Sequence, residues 1–261
     1  MEFARWKGGL ARRGEPVNPP VISIPLKPSP RGGSGTFLAA DGDGGRWWVK
    51  PLNNKQDARV TVTEAVVGSV GALIDAPVCN SAVVFLPTEI EGWEFRPGAR
   101  IESGYAHASR SVDNAIEHRS LLYRDRDDNA RRHVGVFAIY DWCWGGDDQW
   151  FYTETEDRMV YSHDHGWYLP ETGPKWNIDA LISRVEQAHI ASWPASGLDT
   201  EVIAECSERL RTLTHDDLLA ALSGIPESWP VSDSELERVG WFLESRAPGV
   251  AARLESIGGQ L

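Results

Sequence analysis

The chain has 261 residues, 41% of them hydrophobic and 25% charged, an ordinary globular composition with length for one large domain or two lobes sharing a cleft. Its 38 acidic and 26 basic side chains leave a formal net charge of −12. Such a surface repels phosphate backbones and argues against a nucleic-acid partner, so any anion site must be built locally from amides, a few cations and a metal.

The opening residues, Met1 to Lys7, lack the apolar run of roughly 7–15 residues found in secretory leaders. No stretch approaches the roughly 20 apolar residues of a membrane span. Cys79, Cys143 and Cys206 are widely spaced and form no CxxC. The expectation is a cytoplasmic protein without membrane contact. Twelve tryptophans point to a large aromatic core.

Residues 11–34 are rich in Pro, Arg and Gly. Within them Val21-Ile22-Ser23-Ile24-Pro25-Leu26 reads as a short edge strand, since proline is confined to sheet edges. A glycine-rich stretch, Gly32-Gly33-Ser34-Gly35-Thr36, then leads into Phe37–Ala40. The turn Asp41-Gly42-Asp43-Gly44-Gly45 joins that strand to Arg46-Trp47-Trp48-Val49-Lys50, a hairpin pattern. Apolar residues at 62, 65, 66, 70, 73 and 74 predict a helix over 60–74, and Val78–Leu86 reads as a strand. Residues 102–111 read as a polar loop, in which Ser103, Ser109 and Ser111 are candidate phosphorylation sites. Residues 112–124 and 129–144 read as helices. Short strands are expected at 151–153 and 159–162, and helices from 177 onward. Two of these open on Thr214-x-x-Asp217 and Ser232-x-x-Glu235 capping patterns.

Several residues carry chemistry in this order. Glycines at 33 and 35, with Ser34 and Thr36, can present backbone N–H groups to a phosphate, although no Walker pattern is present. Lys50 ends an apolar strand, and Glu64, 14 residues later, is the only acid on the helix over 60–74. Asp147 and Asp148 sit in a glycine-made turn. Asp164 follows a short strand, 17 residues past Asp147 and two before Gly166. A glycine-rich loop, a lysine, a helix glutamate, a loop aspartate and an Asp-x-Gly acid is the order in which kinases arrange phosphoryl transfer.

Five stretches carry a resemblance to the HipA-like kinases, a family with a distant protein-kinase-like and lipid-kinase-like fold. They are Gly33-Ser34-Gly35-Thr36-Phe37-Leu38, Trp48-Val49-Lys50, Thr63-Glu64-Ala65 continuing to Ala76-Pro77-Val78, Asp141-Trp142-Cys143-Trp144-Gly145-Gly146-Asp147, and Asp164-His165-Gly166. The resemblance implies an α+β, two-lobed fold: a small antiparallel-sheet N-lobe over 1–86 and a mainly helical C-lobe over 87–261. ATP and Mg²⁺ would lie between them. Lys50 would contact the α/β-phosphates, Glu64 would position it, and Gly33, Ser34, Gly35 and Thr36 would cover the phosphates. Val83–Pro87, with Phe85 at its centre, would be the hinge meeting adenine. Asp147 or Asp148 would be the catalytic aspartate, acting as base, and Asp164 the metal ligand. The acceptor implied is a protein Ser or Thr.

The family pattern continues Asp-Arg-His-x-x-Asn, whereas this chain reads Asp147-Asp148-Gln149-Trp150-Phe151-Tyr152. An acid replaces the basic residue, and Tyr152 stands where a second metal-ligating Asn is expected. A pseudokinase that binds nucleotide without transferring phosphate is therefore a competing reading. Another is a metal-dependent hydrolase using His163, Asp164 and His165, whose imidazoles would share one side of a strand.

Overall fold

The computed structural model describes residues 2–11, 13–29, 35–171 and 173–260. The first strand, β1 (Ile22–Pro28), lies at a sheet edge and pairs with β2 (Phe37–Asp41) through a register that slips on either side of Ile24 and Pro25. A turn in which Asp41 Oδ1 accepts from the Asp43 and Gly45 amides leads into β3 (Arg46–Lys50). Next comes α1 (Arg59–Leu73), with 11 of its 15 residues buried. Burial on every side explains why a helix this rich in valine and threonine holds: packing decides where propensity is indifferent.

The strand β4 (Ser81–Leu86) follows, then a small hairpin of β5 (Glu94–Arg96) and β6 (Ala99–Arg100), then β7 (Gly104–Arg110). Among the described residues five strands form one antiparallel sheet in the order β1-β2-β3-β7-β4. It curls until Val21 makes a parallel bridge with Phe85, whose amide donates to Pro20 O at 2.9 Å.

Two sequence expectations need correction here. Residues 104–110 are not a loop but the strand between β3 and β4, so the sheet lobe runs past 86 to Arg110. This strand escapes pattern reading because its inner residues are small or polar. Ala106 and Ala108 face the sheet core, and His107 and Ser109 face the opposite side. Residues 112–124 are not helical either. Asn114 takes a left-handed φ of 51°, and β8 (Ala115–His118) pairs with a later strand. Leu121, Leu122 and Tyr123 then pack on a small cluster around Trp150 and Tyr152. Tertiary pairing overrides the helical spacing of the apolar residues.

The second lobe begins with α2 (Asn129–Trp142), followed by β9 (Trp150–Thr153) and β10 (Val160–Ser162), which form a three-stranded sheet with β8. Four helices complete it: α3 (Ile178–Arg184), α4 (Thr200–Thr212), α5 (His215–Ser223) and α6 (Asp233–Gly258). Both capping boxes form, Thr214 with Asp217 on α5 and Ser232 with Glu235 on α6. The architecture is α+β, an antiparallel-sheet lobe followed by a mainly helical one. Among the described residues no helix is long and apolar enough to cross a membrane.

The large core of the second lobe includes the buried tryptophans Trp6, Trp142 and Trp176. Trp6, from the N-terminal segment, lies on α6, where a Cβ at Gly240 would come within 2.1 Å of its ring. Its Nε1 donates to Glu244 Oε2 at 2.6 Å.

One buried ion cluster fixes the end of α2. Arg246 on α6, with no side-chain exposure, donates to Asp141 O at 2.5 Å, Asp141 Oδ1 at 2.9 Å and Trp142 O at 3.2 Å. It also reaches the carbonyls of Arg184 and Gln187. Arg253 adds two bonds to the same carboxylate. Asp141, quoted above in a kinase-like stretch, is thus a scaffold residue. Truncating Arg246 leaves a buried carboxylate with one of its two cations and several carbonyls unpaired. Arg246→Ala is expected to lower unfolding free energy by about 3–5 kcal/mol in urea titrations.

Candidate active site

Strand alternation builds the roof of the cleft. Phe37, Ala39, Trp47 and Val49 point into the sheet core. Their neighbours Leu38, Trp48 and Lys50 point the other way, joined across the ladder by His107 and Ser109. The register sets Lys50 opposite His107 and Trp48 opposite Ser109. Gln149, Phe151, His163 and Asp164 of the second lobe face this roof across a cleft of about 690 Å³, a size suited to a small-molecule ligand.

At its inner end Lys50 Nζ donates to Glu64 Oε1 at 2.5 Å and to Asp164 Oδ1 at 2.7 Å. Glu64 also accepts from the amides of His165 at 3.0 Å and Gly166 at 3.2 Å. This close approach requires a glycine, because a Cβ on Gly166 would sit 2.3 Å from Val60 Cγ1. Asp164 itself adopts a left-handed φ of 55°, the turn that brings its carboxylate back toward Lys50.

One ammonium here faces two carboxylates. Burial would lower the Lys50 pKa, but Glu64 and Asp164 hold it above its usual value. Burial pushes Glu64, the more enclosed acid, up to about 7. Burial acts on Asp164 in the same sense, yet Lys50 keeps it well below the carboxylate range. The trio thus presents one firmly ionised, partly exposed carboxylate to the cleft.

Two further acids lie next to Gln149, which borders the cleft. Asp147 Oδ1 accepts from Arg119 Nη1 at 3.2 Å, and its Oδ2 accepts from Gln149 Nε2 at 2.6 Å. Asp148 turns away, taking Trp193 Nε1 at 3.2 Å, and burial raises its pKa. Tyr152 does not reach the cleft. It is fully buried, and its hydroxyl accepts from the Leu122 amide at 2.8 Å.

The structure relocates the remaining predicted residues as follows. Gly33 and Ser34 lie outside the described residues. Gly35, at φ 80°, and cleft-lining Thr36 open β2. Phe85 is not at the cleft. It lies on β4, the strand of the sheet furthest from β1 in ladder order, against Tyr105. The connection that borders the cleft leaves β7 instead, at Ser111-Val112-Asp113-Asn114. The polar reading of 102–111 concealed β7, and with it this connection.

The hydrolase geometry does not form. The strand ends at Ser162, and the left-handed Asp164 breaks the alternation that would align the imidazoles. His165 bonds Ser162 Oγ at 2.8 Å, while His163 stacks on Phe151 with ring centroids 3.5 Å apart. Among the described residues no group of three His, Cys, Asp or Glu side chains is placed to hold a metal. Asp164 and Gln149, both bordering the cleft, offer instead the hard oxygens that Mg²⁺ accepts. Mg²⁺ typically takes one or two protein ligands and completes its shell with water and phosphate.

A sheet lobe and a helical lobe, with lysine, helix glutamate and Asp-x-Gly acid meeting at the cleft between them, define a two-lobed kinase-like fold. No protein-family model matches the chain, and no curated protein matches it. Among solved structures it is similar to the crystal structure of the Helicobacter pylori proinflammatory kinase CtkA. The TM-score is 0.59 at 9% identity, covering 92% of this chain and 96% of that one. At that identity the likeness is one of fold.

Burial holds four imidazoles neutral: His107, His133 and His165 are lowered to about 3, and His163 to about 4. From about pH 6.5 down to 4 the unfolded chain takes up protons that these groups refuse. Stability is therefore complete above pH 6.5 and falls on acidification, by up to about 1.4 kcal/mol per pH unit for each histidine. Urea unfolding at pH 7 and pH 5 measures this. His133→Phe is expected to flatten the slope by up to one histidine's share.

Proposed function

We propose that this protein is an ATP-dependent kinase, of the HipA-like kind, that transfers the γ-phosphoryl group to a hydroxyl on a protein Ser or Thr. The observation that carries the reading is the trio of Lys50, Glu64 and Asp164 at the inner end of the cleft. It supplies a fixed cation and an ionised carboxylate in a molecule otherwise strongly negative. The three free, buried cysteines suit a reducing compartment, and the proposed location is the cytoplasm.

In this reading the base enters beneath Leu38 and Trp48, beside the 111–114 linker. Lys50 offsets phosphate charge, and Glu64 prevents it from swinging. Asp164 and Gln149 would hold Mg²⁺, which when bound neutralises charge on the phosphate oxygens. Asp147 is the acid that faces the acceptor, since Asp148 is turned to Trp193. The acceptor hydroxyl gives its proton to the Asp147 carboxylate as its oxygen bonds to the γ-phosphorus. The bond from that phosphorus to the β–γ bridging oxygen breaks, and its electron pair leaves with ADP. Positioning and charge stabilisation do most of this work.

The burial of Tyr152 favours one second reading. With no amide at that position, the protein could bind nucleotide and transfer phosphate poorly or not at all. Gln149, already at the cleft, is the amide that supports transfer.

Thermal unfolding with ATP and Mg²⁺ tests the binding half. At a hundredfold excess over Kd the wild type should gain about 2.7 kcal/mol, and Lys50→Met and Asp164→Asn should lose that gain. No shift at any ATP concentration would sink the kinase reading. Asp147→Asn should keep the shift and lower phosphate transfer about 10²- to 10⁴-fold. Wild-type binding without transfer to any hydroxyl acceptor would favour the pseudokinase.

A further inference from the structure

We propose that Arg119 is a catalytic residue of this site, the cation that meets the transferring phosphoryl group; the inference rests on the kinase reading above. In the ladder between β8 and β9, His118 pairs with Trp150, so Arg119 emerges beside Gln149, which borders the cleft. Its Nη1 lies 3.2 Å from Asp147 Oδ1. The other Asp147 oxygen is held by Gln149, whose side chain borders the cleft.

Charge at this end of the site demands a cation. Asp147 and Asp148 are adjacent, and Lys50 is already shared by Glu64 and Asp164 at the inner end. A polyanionic triphosphate approaching two carboxylates would be repelled unless something offsets them. The sequence places an acid, Asp148, directly after Asp147, where the HipA-like pattern has a basic residue. Arg119 supplies the charge from a different strand. It lies within ion-pair distance of Asp147 and also acts electrostatically on Asp148.

Its exposure fits this role better than a scaffold role. The side chain is 73% exposed, and an exposed ion pair of this kind contributes little to stability. A guanidinium has five N–H donors in a planar fork. One edge meets Asp147, and the others remain for the oxygens of the phosphoryl group as negative charge spreads over them. No bond to Arg119 forms or breaks. The acceptor proton still passes to Asp147, and the electron pair still leaves with ADP.

The test is calorimetric titration with ADP and Mg²⁺, with and without aluminium fluoride, which mimics the planar phosphoryl group in flight. The proteins are wild type, Arg119→Ala and Arg119→Lys. The wild type should bind the fluoride complex about a hundredfold more tightly than ADP alone, as expected for transition-state mimicry. Arg119→Ala should lose at least about tenfold of that gain, with ADP affinity and ligand-free melting temperature unchanged, and Arg119→Lys should fall between. A full gain in Arg119→Ala overturns the proposal and leaves nucleotide binding standing. An equal loss for ADP and for the fluoride complex also overturns it, since that marks general charge attraction. A wild type that binds ADP with no fluoride gain excludes a phosphoryl-stabilising Arg119. A wild type that binds no nucleotide overturns the kinase reading and this one together.

Discussion

Glu64 is the group on which the site's geometry depends. Its carboxylate takes the Lys50 ammonium from β3 and two backbone amides from the Asp164-His165-Gly166 turn. Three pieces of chain, the sheet roof, helix α1 and the turn after β10, meet at two oxygen atoms. The glutamate is buried, so each donor is needed: an enclosed carboxylate short of partners is strongly disfavoured. The acid therefore works as a joint as much as a charge. It fixes where Lys50 points and where Asp164 begins, and α1 cannot rotate without breaking both.

Parts of this were legible in the sequence because they sit on strong local signals. Lys50 ends an apolar strand, Glu64 lies within a helical pattern, and Asp164 follows a short apolar run, so each could be placed on its element. The capping box at Ser232 is legible in the same way, and the one at Thr214 more faintly, with Asp217 in place of the usual Glu or Gln. What the sequence hid were elements whose residues answer to neighbours rather than to local preference. In β7, Ala106 and Ala108 pack beneath a full sheet while His107 and Ser109 line a polar cleft, so neither face shows the bulky alternation of a strand. With β7 hidden, the connection after Val83–Pro87 reads as the exit from the sheet lobe, whereas the chain leaves that sheet only after Arg110. The helical spacing at 112–124 likewise yields to pairing with β9, which is why Arg119 could not be placed near Asp147 by periodicity.

The charged groups divide by depth. Asp141, Arg246 and Arg253 form an interior knot joining α2 to α6, and the turn of Trp144 to Asp147 hangs directly from it. Asp147 and Arg119 lie at the surface end of that turn. A net charge of −12 does not prevent a local anion site. What matters is local placement: Lys50 lies within 2.7 Å of both Glu64 and Asp164, and Arg119 lies 3.2 Å from Asp147.

The central position of β7 has a consequence for how the chain acquires its shape. Strands β3 and β4 both leave the ribosome before the strand that separates them. Until residues 104–110 emerge, each has an unpaired inner edge, and edge-to-edge pairing with the wrong partner is open to both. Another contact is later still, since Trp6 waits for Glu244, 238 positions away. At about 5–20 residues per second, the N-terminal segment spends more than ten seconds of synthesis without its final seat. Such distant pairings slow folding. The nascent sheet and the segment around Trp6 thus stay open to misassembly until α6 emerges, and α6 closes that interval by seating Trp6.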